Sequence, residues 1–262
     1  MKFLSVLSFL LIGLTQTSIA TTIDVPENYS SIQGAIYEAS NGDTIMVASG
    51  TYTENICFYG KNIVVTSRYM AENNYDLIFT TIIDGSSPSY SDSASTVRIM
   101  HGEDSTAVIE GFTITGGAGT IHPDTDPAYN WREGGGVLVY FANPVVKNNY
   151  ITKNESVDAS GLNGAGGGVS FFKSDNAYLL NNVISYNEGG DYAPGVCIDQ
   201  AGATIRNNIV GRNYGGETFG GGGLWLLKQG TYPITVENNT VVRNESAKDG
   251  AGLWLMDVTV KP

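Results

Sequence analysis

The chain has 262 residues, 42% of them apolar, enough for a sizeable core and too many for a disordered polymer. Glycine supplies 33 residues, well above its ordinary share of about 7%, whereas charged residues make up only 15%. The formal net charge of −12 argues against nucleic acid and anionic membranes as partners, since both repel an acidic surface.

In chain order, Lys2, the apolar run from Phe3 to Leu14 and the small residues Ser18-Ile19-Ala20 have the form of a secretory signal peptide cleaved near Ala20. The apolar run is shorter than the roughly 20 residues that a membrane span requires. No membrane insertion is expected. The mature protein, residues 21–262, is expected to form one domain outside the cytoplasm, whether secreted, periplasmic or at the cell surface.

Ile32, Ala35, Ile36 and Ala39 then fall at i, i+3, i+4 and i+7, one apolar stripe of a helix. Ser30 or Ser31 can cap its start and Asn41-Gly42 can end it, and Thr44 to Val47 reads as the first strand. A helix in that place suits the terminal cap that a solenoid needs over its first layer.

From Gly134 onward the sequence repeats. Glycine tracts lead into short aliphatic strands, as in "GGGVLVYF", "GGGVSFF" and "GGGGLWLL". Their first aliphatic positions, Val137, Val169, Val196, Leu224 and Leu253, are spaced by 32, 27, 28 and 29 residues. Between them lie "NNYITKN", "NNVISYN", "NNIVGRN" and "NNTVVRN". The apolar runs are too short and too rich in glycine and β-branched residues for helical repeats, and the period is below the ~40–45 residues of a propeller blade. Three short strands per unit fit an all-β parallel β-helix whose coils stack about 4.8 Å apart. The paired asparagines, Asn148 and Asn149, Asn181 and Asn182, Asn207 and Asn208, Asn238 and Asn239, are expected at one corner as a structural amide ladder. Cys57 and Cys197 then lie several coils apart, beyond the roughly 7 Å reach of a disulfide, and are expected free and buried.

Pro26, Ser31-Ile32-Gln33, Ala35-Ile36, Gly42-Asp43-Thr44 and Gly50-Thr51-Tyr52, together with the later repeat units, resemble the right-handed parallel β-helix proteins of the pectin-lyase-like superfamily. The resemblance covers residues 22–262 and implies the fold, while polysaccharide lyases, hydrolases, esterases and non-catalytic adhesins all use it. Of the polygalacturonase motifs only broken forms occur, Met100-His101-Gly102 and Arg98-Ile99-Met100, and the esterase and pectate lyase motifs are absent. No catalytic residue carries over from the resemblance.

Candidate sites therefore rest on position. The loops that follow each unit's last Asn vary, and equivalent solenoid loops project from one edge. They carry Glu155, Asp158, Glu188 and Asp191, which read first as solvated turn residues, next as oxygen donors of the kind that bind Ca²⁺, and otherwise as a general acid and base pair for glycosidic cleavage. The longest loop holds His122, Asp124, Asp126, Tyr129, Trp131 and Arg132, aromatic and charged groups suited to a sugar, with an ordinary insertion whose Trp131 packs on the coil wall as the equal alternative. Lys153, Arg212 and Arg243 each precede a last Asn; they could hold an acidic polysaccharide, but are expected to pair with Glu155 and Glu245 as a solvated face. Trp225 and Trp254 occupy equivalent strand positions and read as a separate aromatic stack. The expectation is an exported polysaccharide-interacting protein, a lyase or hydrolase acting on acidic glycans by analogy, with a non-catalytic glycan- or surface-binding protein as the alternative. "GAGLWLMDVTVKP" opens a coil without its Asn corner, so further coils beyond Pro262, or self-association through an open C-terminal edge, are also expected.

Overall fold

The computed structural model describes residues 19–124, 131–157, 164–216, 220–228 and 232–256. Short strands coil around one apolar core and stack into three main parallel sheets. The first sheet has eight strands, from Thr22–Val25 and Thr44–Val47 to Ile234–Glu237. The second has seven, from Gly50–Thr53 to Thr240–Val242, and the third seven, from Ile56–Cys57 to Leu253–Met256. The chain is an all-β parallel β-helix with a helix before its repeats. Its first strand is Thr22–Val25, one strand earlier than the sequence pattern indicates, paired in register with Thr44–Val47. Only Val25 of that strand is fully buried, so the run lacks the alternation that marks a strand.

Helix α1, Ile32–Glu38, covers the first layer, with Ile32, Ala35 and Ile36 buried against the core. Ser31 caps it, its Oγ accepting from Gly34 N at 3.1 Å. The carboxylate of Glu54 accepts from the amides of Ile32 and Gln33 at 2.9 and 2.8 Å, neutralising the positive helix end. The helix stops at Glu38, with Ala39 extended, and Gly42 serves the next turn at φ +93°.

Alternation in the strands sends Val137, Val139, Val146 and Ile151 into the core, fully buried, as do their counterparts in later coils. The two members of each Asn pair have different surroundings. Asn148, Asn181, Asn207 and Asn238 hold left-handed backbone at φ 53° to 59°. Asn182 is buried; its Nδ2 donates to Asn208 Oδ1 at 3.0 Å, and its Oδ1 accepts from Asn149 Nδ2 at 3.2 Å. A second column follows the second sheet, where Asn154 donates to Asn187, and Asn187 to Asn213, both at 3.0 Å. The glycine tracts make room for this column: a Cβ on Gly136 would lie 2.8 Å from Asn154 Nδ2 and 2.6 Å from Gly168 O. Cys57 and Cys197 are both free and buried. They occupy one column of the third sheet, separated by Arg98, Leu138 and Ser170.

Candidate functional site

On the third sheet the outward side chains form two columns. Leu138, Ser170, Cys197, Trp225 and Trp254 are in register, and so are Tyr140, Phe172, Asp199, Leu227 and Met256. A short outer sheet lies beside them, built from Ser93–Ala94, Gly119–Thr120, Arg132–Glu133 and Gly164–Ala165. Tyr192 extends it by bridging Ala165 and Gly220. Ala165, Ala193, Cys197, Trp225 and Leu227 thereby form a second apolar cluster outside the coil. Trp131, Tyr192 and Trp254 pack against it around a cleft of 380 Å³.

The rings form a continuous chain of contacts, with Trp225 buried at its centre. Trp225 and Trp254 stack face to face with centroids 5.0 Å apart and planes inclined by 6°. Tyr192 meets Trp225 at 4.7 Å and Trp131 at 5.2 Å. The loop tryptophan and the strand tryptophans, which the sequence places in separate sites, therefore share one cleft. Stacked coils bring into contact residues that the sequence separates by whole repeats.

Carboxylates line the same cleft. Glu133 is buried; one oxygen accepts from Ser170 Oγ at 2.7 Å, and the other lies 3.4 Å from His122 Nε2. Asp199 stands between Phe172 and Leu227 in its column, and its Oδ1 is sealed from water without a hydrogen-bond partner. Burial, followed by the charge of Glu133, pushes its carboxyl up to about 7. Asp124 behaves oppositely. It accepts from Lys173 Nζ and Tyr140 Oη, both at 2.8 Å, and these bonds, Lys173 first, hold its carboxyl below the ordinary value.

Of the long-loop candidates, Asp124 and Trp131 line the cleft. His122 is buried between the rings of Tyr140 and Phe172, at 4.6 and 4.9 Å. Arg132 reaches the carbonyls of Ser91 and Gly119 and the carboxylate of Asp92, away from the cleft lining. Asp126 and Tyr129 lie outside the described residues. Asp199 was not among the candidates, although aligned repeats carry its signal: one carboxylate in a column of Tyr, Phe, Leu and Met.

Of the acidic loop residues, Glu155 and Glu188 are exposed register partners, Asp191 is buried nearby, and Asp158 lies outside the described residues. Among the described residues no group of three or more His, Cys, Asp or Glu side chains is arranged to hold a metal ion. The ion pairs expected from Lys153 to Glu155 and from Arg243 to Glu245 do not form among the described ion pairs. Lys153 and Arg243 stand at left-handed corners, φ 55° and 54°, where the backbone turns between cation and acid. Arg212, at the same corner of its coil, instead bonds to Tyr186 Oη and lies 5.4 Å from the centre of that ring.

Among the described residues no helix is long and apolar enough to cross a membrane. Compared with known families, the chain matches the one described as "Right handed beta helix region" over residues 14–259. Comparison with curated proteins finds no match.

Proposed function

This chain belongs to the right-handed β-helix family, and we propose that it is an exported protein that binds polysaccharide in the aromatic cleft of its third sheet. The carrying observation is the run of rings Trp131, Tyr192, Trp225 and Trp254 beside carboxylates. Ring faces pack on the C–H face of a sugar while carboxylates accept its hydroxyl protons. Asp124, Glu133 and Asp199 line the cleft, and Lys173 is already engaged by Asp124, so the cleft suits a neutral sugar better than an acidic one. Replacing Trp131 or Trp254 by Ala should weaken neutral oligosaccharide binding about threefold to tenfold, the scale of one lost ring contact. Titration of tryptophan emission measures this. A broad neutral-glycan panel that leaves the emission of the parent protein unchanged would reject the reading.

One observation favours a second step, hydrolysis. A carboxyl that keeps its proton to about pH 7 at the wall of a sugar cleft is poised to protonate a departing glycosidic oxygen. Glu133, whose oxygens face Ser170 and His122, is a further carboxylate of the cleft lining. Asp199→Asn should abolish reducing-end release while leaving the binding constant within about twofold. Equal release by both proteins would leave a non-catalytic binder.

Calcium belongs to the same proposal at the edge marked by the exposed register partners Glu155 and Glu188. EDTA should then lower the melting temperature, and added Ca²⁺ restore it, because a ligand of the native state stabilises it. Identical melts with and without chelator would remove calcium from the proposal.

A further inference from the structure

A different part of the coil surface carries a second groove that shares no residue with the aromatic cleft. It has a volume of 500 Å³ and is lined by Tyr186, Arg212, Asn213, Tyr214, Arg243 and Glu245. Lys153, Tyr186, Arg212 and Arg243 occupy the same corner of four consecutive coils. Lys153 N donates to Tyr186 O, and Tyr186 N to Arg212 O, both at 3.1 Å. All four side chains are exposed. The four corner residues therefore rise along the coil axis in steps of about 4.8 Å, with Arg212 and Arg243 on adjacent coils.

Turn chemistry does not explain these residues. Their backbone is left-handed, with φ between 54° and 60°, a conformation that favours Gly and Asn. At the neighbouring corner, with the same φ, all four coils use Asn. Here none uses Asn or Gly; three use a cation and one a tyrosine. A third corner also departs from Asn, at Phe141, Lys173 and Gln200. Of these, Gln200 lines the aromatic cleft, and Lys173 binds a carboxylate that lines it. At both corners that give up the favourable turn residue, some of the replacements line a cavity: Gln200 the aromatic cleft, and Tyr186, Arg212 and Arg243 the second groove.

Charge points the same way. The whole chain has only 14 lysines and arginines against 26 acids. Three of those cations share this column, and no ion pair among the described residues engages any of them. Beside them runs a register column of Glu155, Glu188, Tyr214 and Glu245. Guanidinium groups match carboxylate or sulfate, exposed tyrosine rings match a sugar face, and a flanking carboxylate accepts hydroxyls.

We propose that this groove is a second binding site, for an acidic polysaccharide running parallel to the coil axis. Its anionic groups lie on Arg212 and Arg243, and its sugar rings on Tyr186 and Tyr214. The acidic glycan expected from the sequence thus belongs to this groove, apart from the aromatic cleft.

The test uses the full chain with oligogalacturonate, a sulfated oligosaccharide, a neutral cello-oligosaccharide and inorganic polyphosphate as probes. Oligogalacturonate or the sulfated probe should bind, and the tighter of the two identifies the anionic group. Binding should weaken in about 0.5 M salt, where screening acts within about 4 Å. The Arg212→Gln, Arg243→Gln double variant should bind at least about tenfold more weakly, with an unchanged melt because both side chains are exposed. Trp131→Ala, which tests the cleft, should leave this binding intact. Arg212→Lys should fall between parent and double variant if bidentate pairing matters. The proposal is overturned if neither acidic glycan binds or if the double variant binds as the parent does. Loss of acidic-glycan binding in Trp131→Ala, or polyphosphate binding as tight as either acidic glycan, would overturn it too.

Discussion

Asp199→Asn is expected to raise the melting temperature by roughly 10 °C at about pH 8 and to leave it unchanged near pH 3. Burial between Phe172 and Leu227, followed by the charge of Glu133, raises the Asp199 carboxyl to about 7 in the folded protein. In the unfolded chain the same carboxyl titrates near 3.9. Between these values the folded protein holds a proton that the unfolded chain has released, so stability falls as pH rises through the window. Below about pH 4 both states are protonated and the contribution is fully present; above about pH 7 it is lost. A separation of about three pH units corresponds to about 4 kcal/mol, and ~2–4 °C per kcal/mol for a chain of this size gives the expected shift. The amide keeps the shape of the neutral acid and cannot ionise. Differential scanning calorimetry at both pH values is the measurement. A shift of equal size at both would show that packing, rather than the proton, separates the two proteins.

Asn182→Ala should cost about 3 kcal/mol, whereas Asn181→Gly, one residue earlier, should cost a few tenths. The buried Asn182 amide accepts from Asn149 N at 3.0 Å and Asn149 Nδ2 at 3.2 Å, and donates to Val146 O and Asn208 Oδ1, both at 3.0 Å. Truncation leaves the buried amide of Asn149 without its acceptor, a cost of about 1–3 kcal/mol, and removes further amide bonds worth about 1 kcal/mol each. Asn181 is exposed and serves the turn through its backbone at φ 56°, a conformation glycine adopts freely. Urea unfolding of the two variants discriminates them. Comparable losses would mean that turn geometry, and not the amide column, holds this corner.

The fold was legible because its physics repeats. Valine or leucine after each glycine tract, and Asn before each loop, recur at intervals that only stacked coils accommodate. The stripe from Ile32 to Ala39 likewise gave the terminal helix, since burial of Ile32 and Ile36 requires that period. The site was less legible. Trp131 and Asp124 stood out because they lie in an insertion, but Asp199 sits inside a regular strand. Its environment comes from Phe172 one coil before and Leu227 one coil after. Sequence distance hides such neighbours unless the repeats are laid over one another. The ion pairs expected of Lys153 and Arg243 failed for a related reason. Two residues of separation suggest contact, but left-handed corners turn the cation out of line with the acid.

The two asparagine columns keep identical books of chain length. From Asn149 to Asn182, Asn208 and Asn239 the separations are 33, 26 and 31 residues. From Asn154 to Asn187, Asn213 and Asn244 they are again 33, 26 and 31. Each of these four coils therefore sets its two amides five positions apart, and all variation in length falls on the remaining arc. An inserted residue between Asn182 and Asn187 would throw both columns out of step, while the same residue after Asn187 need only lengthen a loop. Evolution can then lengthen, shorten or exchange the arc that carries the aromatic cleft without retuning the scaffold. The short arc fixes the gauge, and the long arc is free to diversify.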